Sequence, residues 1–239
     1  MHAPSRPSRR ALPRNAFTLP ELLLVIGIIG VLTAILLPAV SSVRAHSRTT
    51  SCLANLRQWS SAVMVYAVAN DGCLPRRGQG VQPTGQISRP EDWFNALPPQ
   101  LQMAPLSRLV AAGRAPRPGD SSLWICPDMP ENWAPFLFSY AMNMRLSTWQ
   151  SPQPDRLAAV GDHSTLAFLA DAPGAYCSAL PAAADYSPVA RHGGYVNIAF
   201  LDGHVASLEG TYVGCGTGDP QRQDVRWIVP NSSWAGPTN

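Results

Sequence analysis

Residues 22–40 run for nineteen positions without a charged side chain. As an α-helix this run spans about 28 Å at ~1.5 Å per residue, close to the thickness of a hydrocarbon core. An apolar helix of that length has to be covered by lipid or by other helices. The four arginines that precede it, Arg6, Arg9, Arg10 and Arg14, have no acid among them in residues 1–16. The positive-inside rule therefore places residues 1–16 in the cytoplasm and the chain beyond Val40 across the inner membrane. Outside that segment the chain is close to neutral, although its formal net charge is +3. All eighteen basic residues are arginine, which reads as a compositional bias. Nothing in this balance supplies the basic surface that nucleic acid requires. A charged fraction of 14% against 46% apolar residues also excludes a disordered polyelectrolyte.

Three readings of the N-terminus compete: a simple anchor, an ordinary signal peptide cut near Ala45, and a reading that uses the residues just before the run. Those are Asn15-Ala16-Phe17-Thr18-Leu19-Pro20-Glu21. Glu21 places a carboxylate at the edge of an uncharged segment, which costs a few kcal/mol unless it is paired. Cleavage after Ala16 would create a free amine at Phe17, and that amine on a neighbouring subunit would supply the cation.

The hexapeptide from Ala16 to Glu21, followed by the apolar run, resembles the class III signal of type IV prepilins and type II secretion pseudopilins. The resemblance implies cutting between Ala16 and Phe17 by a membrane prepilin peptidase, which also N-methylates Phe17. It makes Glu21 the family's assembly and methylation glutamate and Pro38 its helix-kinking proline. Ala16 stands where the family usually has glycine. The implied partners are prepilin peptidase, other pilin or pseudopilin subunits in a homo- or hetero-filament, and an inner-membrane assembly platform. The implied location is a single pass through the inner membrane with the head in the periplasm, then a filament after assembly.

A second resemblance extends the likeness to about Leu208, most of the chain. His192, nine residues, then Asp202-Gly203 match a C-terminal H-X9-DG motif found in a large group of prepilin-like proteins. Further matches are the stretch from Cys52 to Gln58, Tyr66 with Asn70-Asp71-Gly72, Cys126-Pro127-Asp128, and the stretch from Ser139 to Asn143. The expected organisation is a leader at 1–16 that is removed, a long helix over 17–70 with about 22–40 in the membrane, and a head over 71–239. The fold class is α+β and type IV pilin-like, with the helix packed on a small antiparallel sheet with long loops.

The residues support that division. Between Ser41 and Asn70 there is neither proline nor glycine, and Leu53, Leu56, Val63 and Ala67 recur near a 3.6-residue period. Asp71-Gly72 ends the helix. Nineteen of the 24 prolines and 16 of the 18 glycines fall in 71–239, which favours short strands and loops. Short helices are expected at 91–97 and 106–112. Strands are expected at 123–126, 136–142, 165–170, 195–201, 204–208 and 225–229, and loops at 76–90, 173–188 and 231–239. Asp202-Gly203, between two apolar runs, predicts a type I′ hairpin turn.

His192 and Asp202 in one flat strand would lie about 33 Å apart at ~3.3 Å per residue, so they cannot pair unless the chain turns at Gly193-Gly194. The expected role of His192, Asp202 and Gly203 is structural; a ligand or metal role with His204 is the competing one. Asp162-His163-Ser164 has the residue types of a triad, but neighbours in an extended chain face opposite ways. No catalytic residue is assigned, and the chain is read as a non-enzyme. No metal or cofactor is assigned either: no C-x-x-C pair suggests zinc. The pseudopilin resemblance brings in calcium, which no dense acidic loop supports. Of the five cysteines, Cys52 and Cys73 are too far apart along one helix to join. A helix cysteine with Cys126, and Cys177 with Cys215, are open pairings. Seven tryptophans are either core or an exposed aromatic surface. The second would make the chain a membrane-anchored binding module for a glycan or solute.

Overall fold

A computed structural model describes residues 18–78, 87–130, 138–146, 156–174, 176–181 and 186–227. The chain forms two compact units, Met1–Arg44 and Ala45–Asn239. Helix α1, Leu19–Ala69, contributes to both, and it continues through Pro38. In the first unit every leucine, isoleucine and valine from Leu22 to Val43 is exposed. This is a helix long and apolar enough to cross a membrane.

In the second unit α1 turns amphipathic. Cys52, Leu56, Trp59, Ser60, Val63 and Ala67 are buried at helical spacing. The expected stripe is therefore right in period, but Leu53 is only partly buried, and Cys52 and Trp59 carry much of the contact. The helix ends where expected. Asp71 and Gly72 both take positive φ, and the Gly72 N–H donates to the Ala67 carbonyl at 2.8 Å.

The sheet has five strands: β1 Tyr140–Asn143, β2 Ala167–Asp171, β3 Ser178–Ala179, β4 Tyr195–Phe200 and β5 Val205–Glu209, in the order β3-β1-β2-β4-β5. The α+β class holds. The expectation of a purely antiparallel sheet does not, because β3 pairs parallel with β1. The chain reverses after β2, so β3 runs against β2 and therefore along β1. With two residues, inside a stretch expected to be loop, β3 has no periodicity to read. Residues 123–126 form turns instead of the expected strand. Their apolar residues, Trp124, Ile125 and Cys126, are core from a loop. Of 225–229, residues up to 227 are described, and Arg226 makes one parallel bridge to Leu166.

Strand alternation sorts the two faces of the sheet. Tyr140, Met142, Leu169 and Ala199 join α1 in one core, together with Trp59, Trp93, Trp124, Phe94 and Phe138. Ala141, Ala170, Val196, Ile198 and Phe200 build the other, closed by Val213 and Val225 from α4 (Gly210–Val213) and the segment after it, with Trp227. Two short helices, α2 Trp93–Ala96 and α3 Leu106–Ala111, appear where helices are expected. Trp59, Trp93, Trp124 and Trp227 are all buried, and Trp59 packs on Trp124 at 4.9 Å between ring centroids. Trp133, Trp149 and Trp234 lie outside the described residues.

Asp92, just before α2, is fully buried, and neither carboxylate oxygen has a hydrogen-bond partner among the described residues. Burial is the main reason its pKa rises from 3.8 to about 6, against the pull of Arg89. A carboxyl raised in this way favours the fold below its unfolded value, and that contribution is lost as pH rises through the folded one. Asp92→Asn keeps the shape without the charge. It is expected to raise the unfolding free energy at pH 7.5 by about 1–3 kcal/mol and to match the parent near pH 4. Urea titrations at the two pH values check this; equal midpoints at both would show that the carboxylate is compensated.

Candidate functional site

Two regions concern function, one in each unit. In the first, Ala16 and Phe17 lie outside the described residues. Glu21 is described: its Oε2 accepts the Thr18 N–H at 2.9 Å and the Thr18 hydroxyl at 2.6 Å. This is the glutamate half of a capping box, with the carboxylate covering a donor that the helix start leaves unused. Further along, the Ser41 hydroxyl donates to the Pro38 carbonyl at 2.8 Å.

In the second unit the sequence motif comes apart into two separate structures. His192 exchanges backbone hydrogen bonds with Tyr195 across Gly193 and Gly194, whose φ values are +64° and +92°. Positive φ at both central positions is the signature of a type I′ turn, and glycine adopts it without a Cβ penalty. The I′ turn thus lies here and not at Asp202-Gly203. There the Gly203 N–H donates to the Phe200 carbonyl at 3.1 Å, and the Phe200 N–H to the His204 carbonyl at 2.9 Å. That is a three-residue loop in which only Gly203 has positive φ. Asp202 does not take the second left-handed position, and its carboxylate folds over its own turn: Oδ1 accepts the His204 N–H at 3.0 Å and lies 2.6 Å from His204 Nδ1.

β4 separates the two halves of the motif. Asp202 and His204 are exposed, with the His204 ring stacked on Phe200 at 4.2 Å. The His192 side chain is completely buried. His163 of the triad-like tripeptide turns away to the Leu157 carbonyl, 2.7 Å from its Nε2, while Asp162 accepts from Ser164. None of these residues converges with His192.

What surrounds His192 is a set of residues distant in sequence. Its Nδ1 is 2.6 Å from Asp128 Oδ2 and 3.3 Å from the Thr49 hydroxyl on α1. Its Nε2 is 3.2 Å from Asp171 Oδ2, at the end of β2, and 3.5 Å from Cys126 Sγ. Cys126 is joined to Cys52 of α1, with Cα atoms 5.2 Å apart. This is one of the two open pairings; the other is not formed, since Cys215 is a free thiol, as is Cys73. Asp171 Oδ2 also accepts the Asn197 N–H at 2.8 Å, and its Oδ1 lies 4.0 Å from Arg191 Nε. Arg191 donates to the Ala172 carbonyl as well. Arg48 of α1 reaches Asp128 at 3.4 Å from the surface.

Burial alone would lower the His192 pKa, but hydrogen bonds and charge from Asp171 and then Asp128 outweigh it, so the pKa is raised. Each ring nitrogen faces a carboxylate, and no face of the ring meets solvent. Such an imidazole fixes the position of its neighbours. It holds the start of β4, the end of β2, the loop at Cys126 and helix α1 to one another. The sequence singled out His192 but missed Asp128 and Asp171 as its partners. The Cys126-Pro127-Asp128 triplet was the one available signal, and only the fold connects it to a histidine 64 residues away.

No family model, curated protein or solved structure matches the chain.

The unequal surroundings of the motif residues give an expected result. His192→Ala leaves Asp171 buried opposite an empty space and is expected to cost about 2–4 kcal/mol of stability. Asp202→Ala removes an exposed turn contact and is expected to cost under about 1 kcal/mol. Urea denaturation followed by tryptophan fluorescence separates the two; equal losses would contradict the assignment.

Proposed function

We propose that this chain is a pseudopilin, a structural subunit of a type II secretion or type IV pilus-like filament. The observation that carries the reading is the stretch from Ala16 to Glu21, set directly before an apolar run whose leucines, isoleucines and valines are exposed from Leu22 to Val43. In this reading prepilin peptidase cuts between Ala16 and Phe17 and methylates the new Phe17 amine. The subunit is held in the inner membrane by residues 22–40, with its N-terminus cytoplasmic and its head periplasmic. An assembly platform then draws the helix into a bundle of other subunits. There apolar contacts hold the fibre, and Glu21 pairs with the Phe17 amine of a neighbour to set the register. Pro38 provides a bend in the packed helix.

One bond in the head supports this in two ways. The Cys52–Cys126 disulfide belongs to an oxidising compartment, consistent with a periplasmic head. The same bond ties α1 to the sheet domain, so a pull on the helix is passed to the head through a covalent link. The glycan-binding alternative draws nothing from the four described tryptophans, which are core.

The deciding experiment is mass spectrometry of the N-terminal peptide of protein isolated from membranes. An N-methylated Phe17 at the start is the expected result. A start near Ala45 would mean a released head and would end the filament reading.

A further inference from the structure

The buried cluster at His192 has a property that a structural latch does not require. The Cys52 and Cys126 sulfurs and a ring nitrogen of His192 lie within 4.8 Å of one another, and all three residues are buried. Around a tetrahedral zinc ion, bonds of ~2.0–2.1 Å to nitrogen and oxygen and ~2.3 Å to sulfur set the ligands about 3.4 Å (N to O) and about 3.5 Å (N to S) apart. His192 Nε2 stands 3.2 Å from Asp171 Oδ2 and 3.5 Å from Cys126 Sγ. Both separations match edges of such a tetrahedron and meet at Nε2; Asp171 stands outside the set of three, so its carboxylate has to close on the sulfurs as the ion enters.

We propose that the reduced protein binds one zinc-class divalent ion between Cys52 Sγ, Cys126 Sγ, His192 Nε2 and Asp171 Oδ2. The groups behind these ligands are those that a metal site needs. Asp128, 2.6 Å away, accepts a hydrogen bond from Nδ1–H and so leaves Nε2 free to bind. The Asn197 N–H orients the Asp171 carboxylate. Two thiolates, one carboxylate and a divalent ion leave one negative charge, and the buried Arg191 guanidinium stands beside Asp171 to balance it. Asp171 Oδ1 has no hydrogen-bond partner among the described residues, so this carboxylate is not saturated by the latch alone.

In the structure the two sulfurs are bonded, so the disulfide and the metal are alternative states of one site. A dithiol reductant breaks the Cys52–Cys126 bond. Its two thiols become a disulfide, and the two electrons and two protons pass to the cysteine sulfurs. The sulfurs then part to about 3.8 Å as the ion enters. The ion displaces both thiol protons, and a third when His192 starts as the imidazolium. Oxidation by a disulfide of the same class runs the sequence backwards and expels the ion. Either state fastens α1 to the sheet.

The test uses full-length protein in detergent, produced under a dithiol reductant throughout so that the disulfide does not form; complete reduction is checked by alkylation and mass. Cobalt(II) serves as the spectroscopic probe and zinc as the competitor. The expected result is one equivalent of cobalt with thiolate charge-transfer absorption and strong tetrahedral ligand-field bands, displaced by one equivalent of zinc. The oxidised protein should bind none. Cys73→Ser with Cys215→Ser should bind as the parent does, while His192→Ala and Asp171→Asn should weaken binding at least tenfold. No thiolate absorption in the reduced parent overturns the proposal, whatever the variants do. So does binding lost in the Cys73→Ser, Cys215→Ser protein, which would place the ion on other thiols.

Discussion

Replacing Cys52 and Cys126 together by alanine is expected to lower the stability of the Ala45–Asn239 unit by about 4 kcal/mol. The two cysteines are 74 residues apart, so the bond removes a large loop from the unfolded ensemble. For a unit of this size the loss corresponds to a melting temperature lower by about 10 °C. The contact is also central to the fold. Cys52 and Cys126 are fully buried in the core that holds Trp59 and Trp124, and Asn55, one turn along α1, donates to the Ser122 and Ile125 carbonyls of the same loop. Urea denaturation read by tryptophan fluorescence, with and without the substitutions, measures the effect. An unchanged midpoint would mean that the bond constrains nothing the core does not already hold.

Glu21→Ala is expected to leave cleavage after Ala16 largely intact and to reduce incorporation into filaments at least tenfold. The carboxylate also caps α1 through Thr18, so alanine removes two things at once. The cap is worth about 1 kcal/mol, too little to unseat a helix of 51 residues. Glu21→Gln separates the two, because its amide oxygen still accepts from Thr18 while the charge is gone. If Glu21 pairs with a neighbouring Phe17 amine, glutamine should fail as alanine does. Sheared-filament immunoblots, with N-terminal mass spectrometry for processing and methylation, read both variants. Normal methylation and incorporation of Glu21→Ala would remove Glu21 from the assembly mechanism; normal behaviour of Glu21→Gln alone would reduce its role to the cap.

Several elements were readable because their signals are local. The apolar run at 22–40, the stop at Asp71-Gly72 and the strands at 195–200 and 205–209 each follow from composition or periodicity within a few residues. The turn chemistry was only half readable. Asp202-Gly203 does make a hairpin turn, but the type I′ geometry belongs to Gly193-Gly194, where both residues lack a Cβ. The stretch at 123–126 misled because apolar residues in a buried loop look the same as those in a strand. β3 was missed because two residues carry no pattern.

By itself the sequence determined that part of this chain is a helix long and apolar enough to cross a membrane, and that the remainder is a proline- and glycine-rich α+β unit. Both follow from side-chain chemistry summed along a segment. It also marked His192 as a residue in need of an account. Tertiary structure alone decided what His192 does. Cys126 and Asp128 come from one loop, Asp171 from a strand end and Cys52 from a helix, and no spacing along the chain relates these three elements to His192. They meet because the two faces of the sheet sort alternate residues, and because α1 buries its cysteine face against one of them. The free energy of a buried charge depends on those neighbours and not on its own identity, so the chemistry of the site exists only once the fold has brought them together.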